Sequence, residues 1–282
     1  MPGLSSTATP TLTLTPTSVP ATATPPAPTP TPPPLALRVN GEGIWLEDYQ
    51  AELKRLEKAQ ADTGKTLSAE QAAKMVQDAL AADLILGQNA VKDGYILDET
   101  AFKARMDKVT GETGGADKLA AWMTANAYSQ DSLKRSMERA MAADWERSKI
   151  IAAVPQVTEQ MHARQILVRD ETQANSIYQQ LQNGAKFDDL ALKYEPETGG
   201  DLGWFPHGTL FQADIETAAF KLQPGQYSEV IKTSYGFQIV EVIERDPQHA
   251  LTAETRLVLQ HKLLDAWMQD QLKQAKIEIL AH

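Results

Sequence analysis

The chain has 282 residues, of which 42% are hydrophobic and 23% charged, with a net charge of −10 and no cysteine. The missing cysteine excludes disulfides, thiolate metal sites and cysteine nucleophiles. The acidic balance argues against a nucleic-acid binder, which needs a basic face, and no apolar run reaches the ~18 residues of a membrane-spanning helix.

Residues 1–37 hold 11 of the 16 prolines and ten threonines, and not one Asp, Glu, Lys, Arg or His. Proline removes a backbone donor and fixes φ, so these Thr-Pro and Pro-Pro steps exclude a helix or an interior strand. The segment is read as a disordered Pro/Thr-rich stalk, partly polyproline II at roughly 3.1 Å per residue. It has too little apolar surface for a core, and its composition suits an O-glycosylated spacer. Its start lacks the basic and apolar regions of a signal peptide.

Residues 38–157 carry helical spacing. Val39–Ile44 reads as a short strand and turn, followed by a helix over 46–61. Ser68-Ala69-Glu70-Gln71 is a capping box. It opens a helix with Met75, Val76, Ala79, Leu80 and Leu84 on one face, closed near Gly94. Asp98 starts a helix to about Val109, broken by Gly111, Gly114 and Gly115. A short helix covers 119–125. Leu133, Met137, Met141 and Trp145, spaced by four, mark a long helix that stops before Pro155.

Residues 158–247 change period. Ala163–Val168 reads as a buried strand. Asp170 caps a helix ending at Gly184, and a short helix covers 187–193. Gly199–Phe205 is too rich in glycine for a helix. A helix over 214–220, a turn at Pro224-Gly225 and strands at 230–232 and 236–243 complete a small α+β unit. Residues 248–282 return to helix, with Leu257, Leu264, Met268 and Leu272 on one face and His261 packed at its rim.

Four stretches of the third region resemble parvulin-type (PpiC, rotamase) peptidyl-prolyl isomerases: Ala163–Val168, Gly199–Phe205 (GGDLGWF), Ala218–Phe220 through Pro224-Gly225, and Val230–Val240. The flanking regions resemble those of the SurA and PrsA families. The resemblance implies an α+β fold in which N-terminal helices and the C-terminal helix build one chaperone domain. The inserted parvulin domain would be a small antiparallel sheet surrounded by helices.

Rotation about a peptide C–N bond faces a barrier of ~18–20 kcal/mol. A catalyst must bind the twisted amide better than either planar form, with no nucleophile, metal or cofactor. By resemblance, Leu202, Phe205, Leu210 and Ile215 would form an apolar slot for the proline ring. Ile215 stands where the family has Phe, and the stretch from Leu210 to Ile215 is one residue longer than usual.

The polar positions that match the family's site are Gln165, Gln238 and Thr233. The first two replace histidines, and the loop before Gly199 is about five residues short and lacks the usual Asp or Cys. An amide both donates and accepts, so Gln165 and Gln238 are expected to bond to each other, with Thr233 joining them. His162, at an odd offset from Gln165, is expected to face solvent at a strand edge. His207 is assigned to a loop surface.

The implied function is extracytoplasmic: a folding factor, secreted or tethered at the cell surface through the stalk, isomerising proline bonds in unfolded or exported polypeptides. The alternative is a non-catalytic holdase whose parvulin domain only binds peptide. Residues 158–247 hold seven Lys/Arg against fourteen Asp/Glu, a net of −7, so a phosphorylated substrate would be repelled.

Overall fold

The computed structural model describes residues 33–64 and 66–281. The expected stalk lies outside the described residues up to position 32. Its last residues belong to the fold: strand β1, Leu35–Val39, buries Ala36 and Leu37 completely. The folded body therefore starts before Leu35 rather than after Leu37. β1 turns through Asn40 and Gly41, both at positive φ (53° and 90°), into β2, Glu42–Trp45. That pair of left-handed residues matches the twist of a two-residue hairpin.

Five helices follow: α1 Leu46–Thr63, α2 Ala69–Lys92, α3 Glu99–Thr113, α4 Ala116–Ala125 and α5 Gln130–Ala152. The Ser68 hydroxyl accepts the Gln71 N–H while the Gln71 side chain accepts the Ser68 N–H, closing the capping box. Asp98 caps α3 through the N–H groups of Thr100 and Ala101. α3 runs past Val109 and through Gly111, ending only where Gly114 turns left-handed at φ 94°.

Three positions of the expected apolar stripes of α2 and α5, Met75, Ala79 and Trp145, are at the surface. Met75 is 50% exposed, and α2 instead buries Ala72, Val76, Leu80 and Leu84. Trp145 is also exposed, packing against Tyr95 with ring centroids 5.8 Å apart.

The third region holds β3 Val157–Val168, α6 Glu171–Gln182, α7 Phe187–Tyr194, β4 Asp201–Pro206, α8 Ala213–Lys221, β5 Ile231–Thr233 and β6 Gly236–Ala250. The four strands form one antiparallel sheet in the order β4-β3-β6-β5. β3 and β6 are longer than their apolar cores and pair from Val157↔Ala250 to Val168↔Phe237.

One face of this sheet packs Ile166, Val168 and Ile239 on α6 and α7; the other packs Met161, Ala163, Val240 and Val242 against Phe205 and α8. Helices cover both faces of a small antiparallel sheet, so the expected α+β class is borne out.

The chain ends in α9, Ala253–Gln274, and a strand that the sequence reading missed, β7, Ile277–Ile279. β7 pairs with β1, giving the order β2-β1-β7. Leu264, Trp267 and Met268 of α9 pack on Leu86, Ala143 and Ile150. The two ends of the described chain thus meet in one helical body, with the second sheet inserted between them. Leu257 is 55% exposed, and His261 is exposed rather than packed.

Candidate active site

Register places the two glutamines on one face. Gln165 pairs with Val240, and Gln238 lies two residues before Val240 on β6, pairing with Leu167. Side chains alternate along strands. Gln165 therefore shares the face of Ala163, and Gln238 that of Val240 and Val242. Phe205 and Ile215 are buried in the cluster on that face, and Leu202, Leu210, Phe220 and Ile231 pack at its margin. The four apolar slot residues and the two glutamines are brought together.

Glycine makes part of this geometry possible. The Gln165 N–H donates to the Gly200 carbonyl at 2.8 Å. Gly200 has φ 72°, and a Cβ there would collide with the Gln165 carbonyl oxygen. Only glycine lets β4 cross β3 this closely. On the opposite face Arg164 is committed elsewhere. Its Nε donates to Glu241 at 2.6 Å, it pairs with Asp188, and it covers the Phe187 ring at 5.5 Å.

The expected bond between the glutamines is absent. Gln238 is fully buried, and neither its Nε2 nor its Oε1 has a hydrogen-bond partner among the described residues. The two residues are diagonal rather than directly opposed, a spacing at the limit of side-chain reach. Thr233 does not join them either. Its hydroxyl donates to the Gly236 carbonyl at 3.1 Å and accepts the Tyr235 N–H at 3.2 Å, closing the β5–β6 turn.

His162 also departs from expectation. β3 is an interior strand, and its pairing with β6 shifts register between His162 and Ala163. The ring lies over Trp204, its register partner on β4, with centroids 5.4 Å apart, and Nε2 meets Asp201 at 2.9 Å; the side chain is on the face opposite Gln165, as expected, but not at an edge. His249 stacks on the same indole at 4.1 Å. His207 is a surface residue, as expected, and stacks on Phe220.

Glu216, one residue after Ile215, escaped the sequence reading. Its carboxylate accepts the backbone N–H groups of Gly208, Thr209 and Leu210 at 2.7, 3.1 and 2.9 Å.

Residues 150–244 match a family model described as the PPIC-type PPIASE domain. This segment is a parvulin-type domain. The PPIC match begins in the last turn of α5 and ends within β6, close to the 158–247 read from the sequence.

Curated relatives carry the name foldase protein PrsA. The one from Caldanaerobacter subterraneus is 33% identical over 204 residues, 70% of this chain and 61% of its own length. The one from Bacillus subtilis is 35% identical over 133 residues, 42% of this chain and 44% of its own. The chain therefore spans about three fifths and under half of these relatives. The longer match exceeds the PPIC domain and takes in flanking helices, a PrsA-like arrangement. A crystal structure described as peptidylprolyl isomerase (PrsA) from Bacillus cereus covers 83% of this chain and 84% of its own, at 21% identity and a TM-score of 0.47.

Two cavities open in the helical body. One, of about 840 Å³, runs beside β2 and is lined by Trp45, Arg135 and Arg139; the other, of about 530 Å³, lies between α1, α2 and α5. Both are apart from the PPIC cluster. No residue of the PPIC cluster lines either of them. Among the described residues no cluster of His, Cys, Asp or Glu fits a metal, and no helix is long and apolar enough to cross a membrane.

Proposed function

We propose that the chain is an extracytoplasmic protein-folding factor whose PPIC domain isomerises X-Pro bonds in unfolded or exported polypeptides. One observation carries the reading: the buried, unpaired amide of Gln238 stands on the same face as Leu202, Phe205, Leu210 and Ile215. A buried amide without partners costs about 1–3 kcal/mol for each unmade bond. A bound X-Pro segment would recover it, with the ring among the apolar side chains and the twisted carbonyl accepting from Nε2.

No bond is broken, so acceleration needs only tighter binding of the twisted amide. Glutamine can supply that bond without titrating, and replacing the family's histidines need not end turnover. Gln165 stands at the diagonal position on the same face and would approach the substrate carbonyl from its other side. Thr233 contributes by fixing the turn that brings β5 beside Gln238. Residues 1–34 would tether the body outside the cytoplasm, bringing it to emerging polypeptides. The relatives' name, foldase, favours this reading over the non-catalytic holdase.

The test is cis-to-trans conversion of a proline tetrapeptide, which takes ~10–100 s uncatalysed, followed with the full chain. Wild type accelerates it and Leu210→Ala lowers the rate. If wild type has no effect but Gln165→His/Gln238→His does, the natural domain is degenerate. The holdase reading then stands, provided the chain still suppresses aggregation of an unfolded client.

A further inference from the structure

The segment between β4 and α8 carries Leu210 over the margin of the apolar cluster. A loop of this kind has many conformations, and a slot wall must have one. Within the loop, the Thr209 hydroxyl donates to the Pro206 carbonyl at 2.9 Å. From outside the loop, Lys262 of α9 donates to the Gly208 carbonyl, and Glu216 takes the backbone N–H groups. Three consecutive N–H groups, of Gly208, Thr209 and Leu210, converge on one carboxylate that is only 9% exposed. A carboxylate has about four acceptor sites on two oxygens and can serve all three. Hydrogen bonds to an ionised acceptor are roughly twice as strong as neutral ones.

Glu216 sits near the start of α8, where the helix dipole favours negative charge. The residue before it, Ile215, is fully buried in the same cluster. Adjacent positions on one helical turn thus supply the back of the slot and the clamp on its lip. We infer that Glu216 is a positioning residue of the proline slot, holding Leu210 in place through the loop backbone without touching the substrate. The inference rests on the isomerase reading above.

The experiment is a double-mutant cycle on the full chain with Glu216→Gln, Leu210→Ala and both together. It is read as kcat/KM for a proline tetrapeptide and as affinity for the same peptide. Glutamine keeps the shape but puts an NH₂ where one N–H needs an acceptor. Glu216→Gln is expected to lower kcat/KM about ten-fold, the scale of one lost charge-assisted bond. The double variant should be no slower than Leu210→Ala alone, since a residue acting through Leu210 has nothing left to position.

Amide exchange should quicken at Gly208, Thr209 and Leu210 while Ile239 and Val240 keep their protection. Additive losses, a wild-type rate in Glu216→Gln, or exchange quickened evenly across the domain would each overturn the inference. If wild type binds the peptide without accelerating it, the isomerase reading fails. Glu216 is then judged by affinity and exchange: weaker binding with loop-confined exchange supports it, and unchanged binding overturns it. A wild-type chain that neither accelerates nor binds the peptide overturns both.

Discussion

Gln165 and Gln238 stand diagonally across β3 and β6, two residues out of direct register, and the fully buried Gln238 amide has no hydrogen-bond partner among the described residues. Such a group destabilises the empty fold and is useful only when something fills the slot. Gln238→Leu removes both unpaired atoms and keeps most of the volume. It is expected to raise stability by about 1–2 kcal/mol, seen as a melting temperature higher by about 2–8 °C. Peptide isomerisation should fall at least about ten-fold, the worth of one hydrogen bond at 1.4 kcal/mol. Thermal melts beside the tetrapeptide assay decide it, and a variant that is less stable yet fully active contradicts this role.

What was legible in the chain follows from range. Ser68, Asp98 and Asp170 cap helices through N–H groups two or three residues away, so local sequence carries the whole interaction. That Leu202, Phe205, Leu210 and Ile215 share one apolar cluster was reachable only through the family resemblance carried by four stretches in fixed order. β7 was not: three residues with one alternation make a strand only because β1, at the other end of the chain, offers an edge. His162 keeps the parity that counting assumes and lies on the face opposite Gln165; what counting could not show is that β3 is an interior strand whose neighbour β4 lays Trp204 against the ring. Glu216 was missed because its partners are backbone groups, which leave no side-chain signature.

Asp48 opens α1 and is 1% exposed, with Arg135 and Arg139 each at 2.7 Å and Arg135 lying over the Trp45 ring. These contacts tie α1 to α5. The bond from Asp48 holds the Arg135 guanidinium above its ordinary pKa. Asp48→Asn leaves partly buried Arg139 without its counter-charge and leaves Arg135 with only Glu47, at 3.4 Å. The expected loss is about 3 kcal/mol, the lower end for a broken buried pair because both arginines keep some contact with water. Chemical denaturation should show a lower midpoint at unchanged slope.

Burial raises the Glu146 carboxyl above its ordinary value of 4.5, with Asp93 nearby adding to the effect and Lys149, 4.0 Å away, opposing it. One of its oxygens, Oε2, is buried without a hydrogen bond among the described residues. The folded chain therefore holds this proton more tightly than the unfolded chain. Its contribution to stability is full below about pH 4.5 and is lost as pH rises through the raised folded value. Glu146→Gln cannot ionise and escapes that loss. At pH 7 the variant should melt about 2–4 °C above wild type, and the gap should close as pH falls toward 4.5. A gap independent of pH assigns the effect to packing.

The PPIC region concentrates the chain's negative charge, with seven Lys/Arg against fourteen Asp/Glu over residues 158–247. Arg164, the basic residue of β3 beside Gln165, is already neutralised by Glu241 and Asp188. A peptide entering the slot therefore meets a negative field. A tetrapeptide with Lys before proline should react faster than its Glu counterpart by about 3–10-fold in low salt, and phosphoserine should be slower still. Surface electrostatics of this kind is screened over about 10 Å at 0.1 M salt and about 3 Å at 1 M. The Lys/Glu ratio should therefore fall toward one at 1 M. A ratio that ignores salt would place the preference in direct contacts, and faster turnover of the phosphoserine peptide would contradict the charge argument outright.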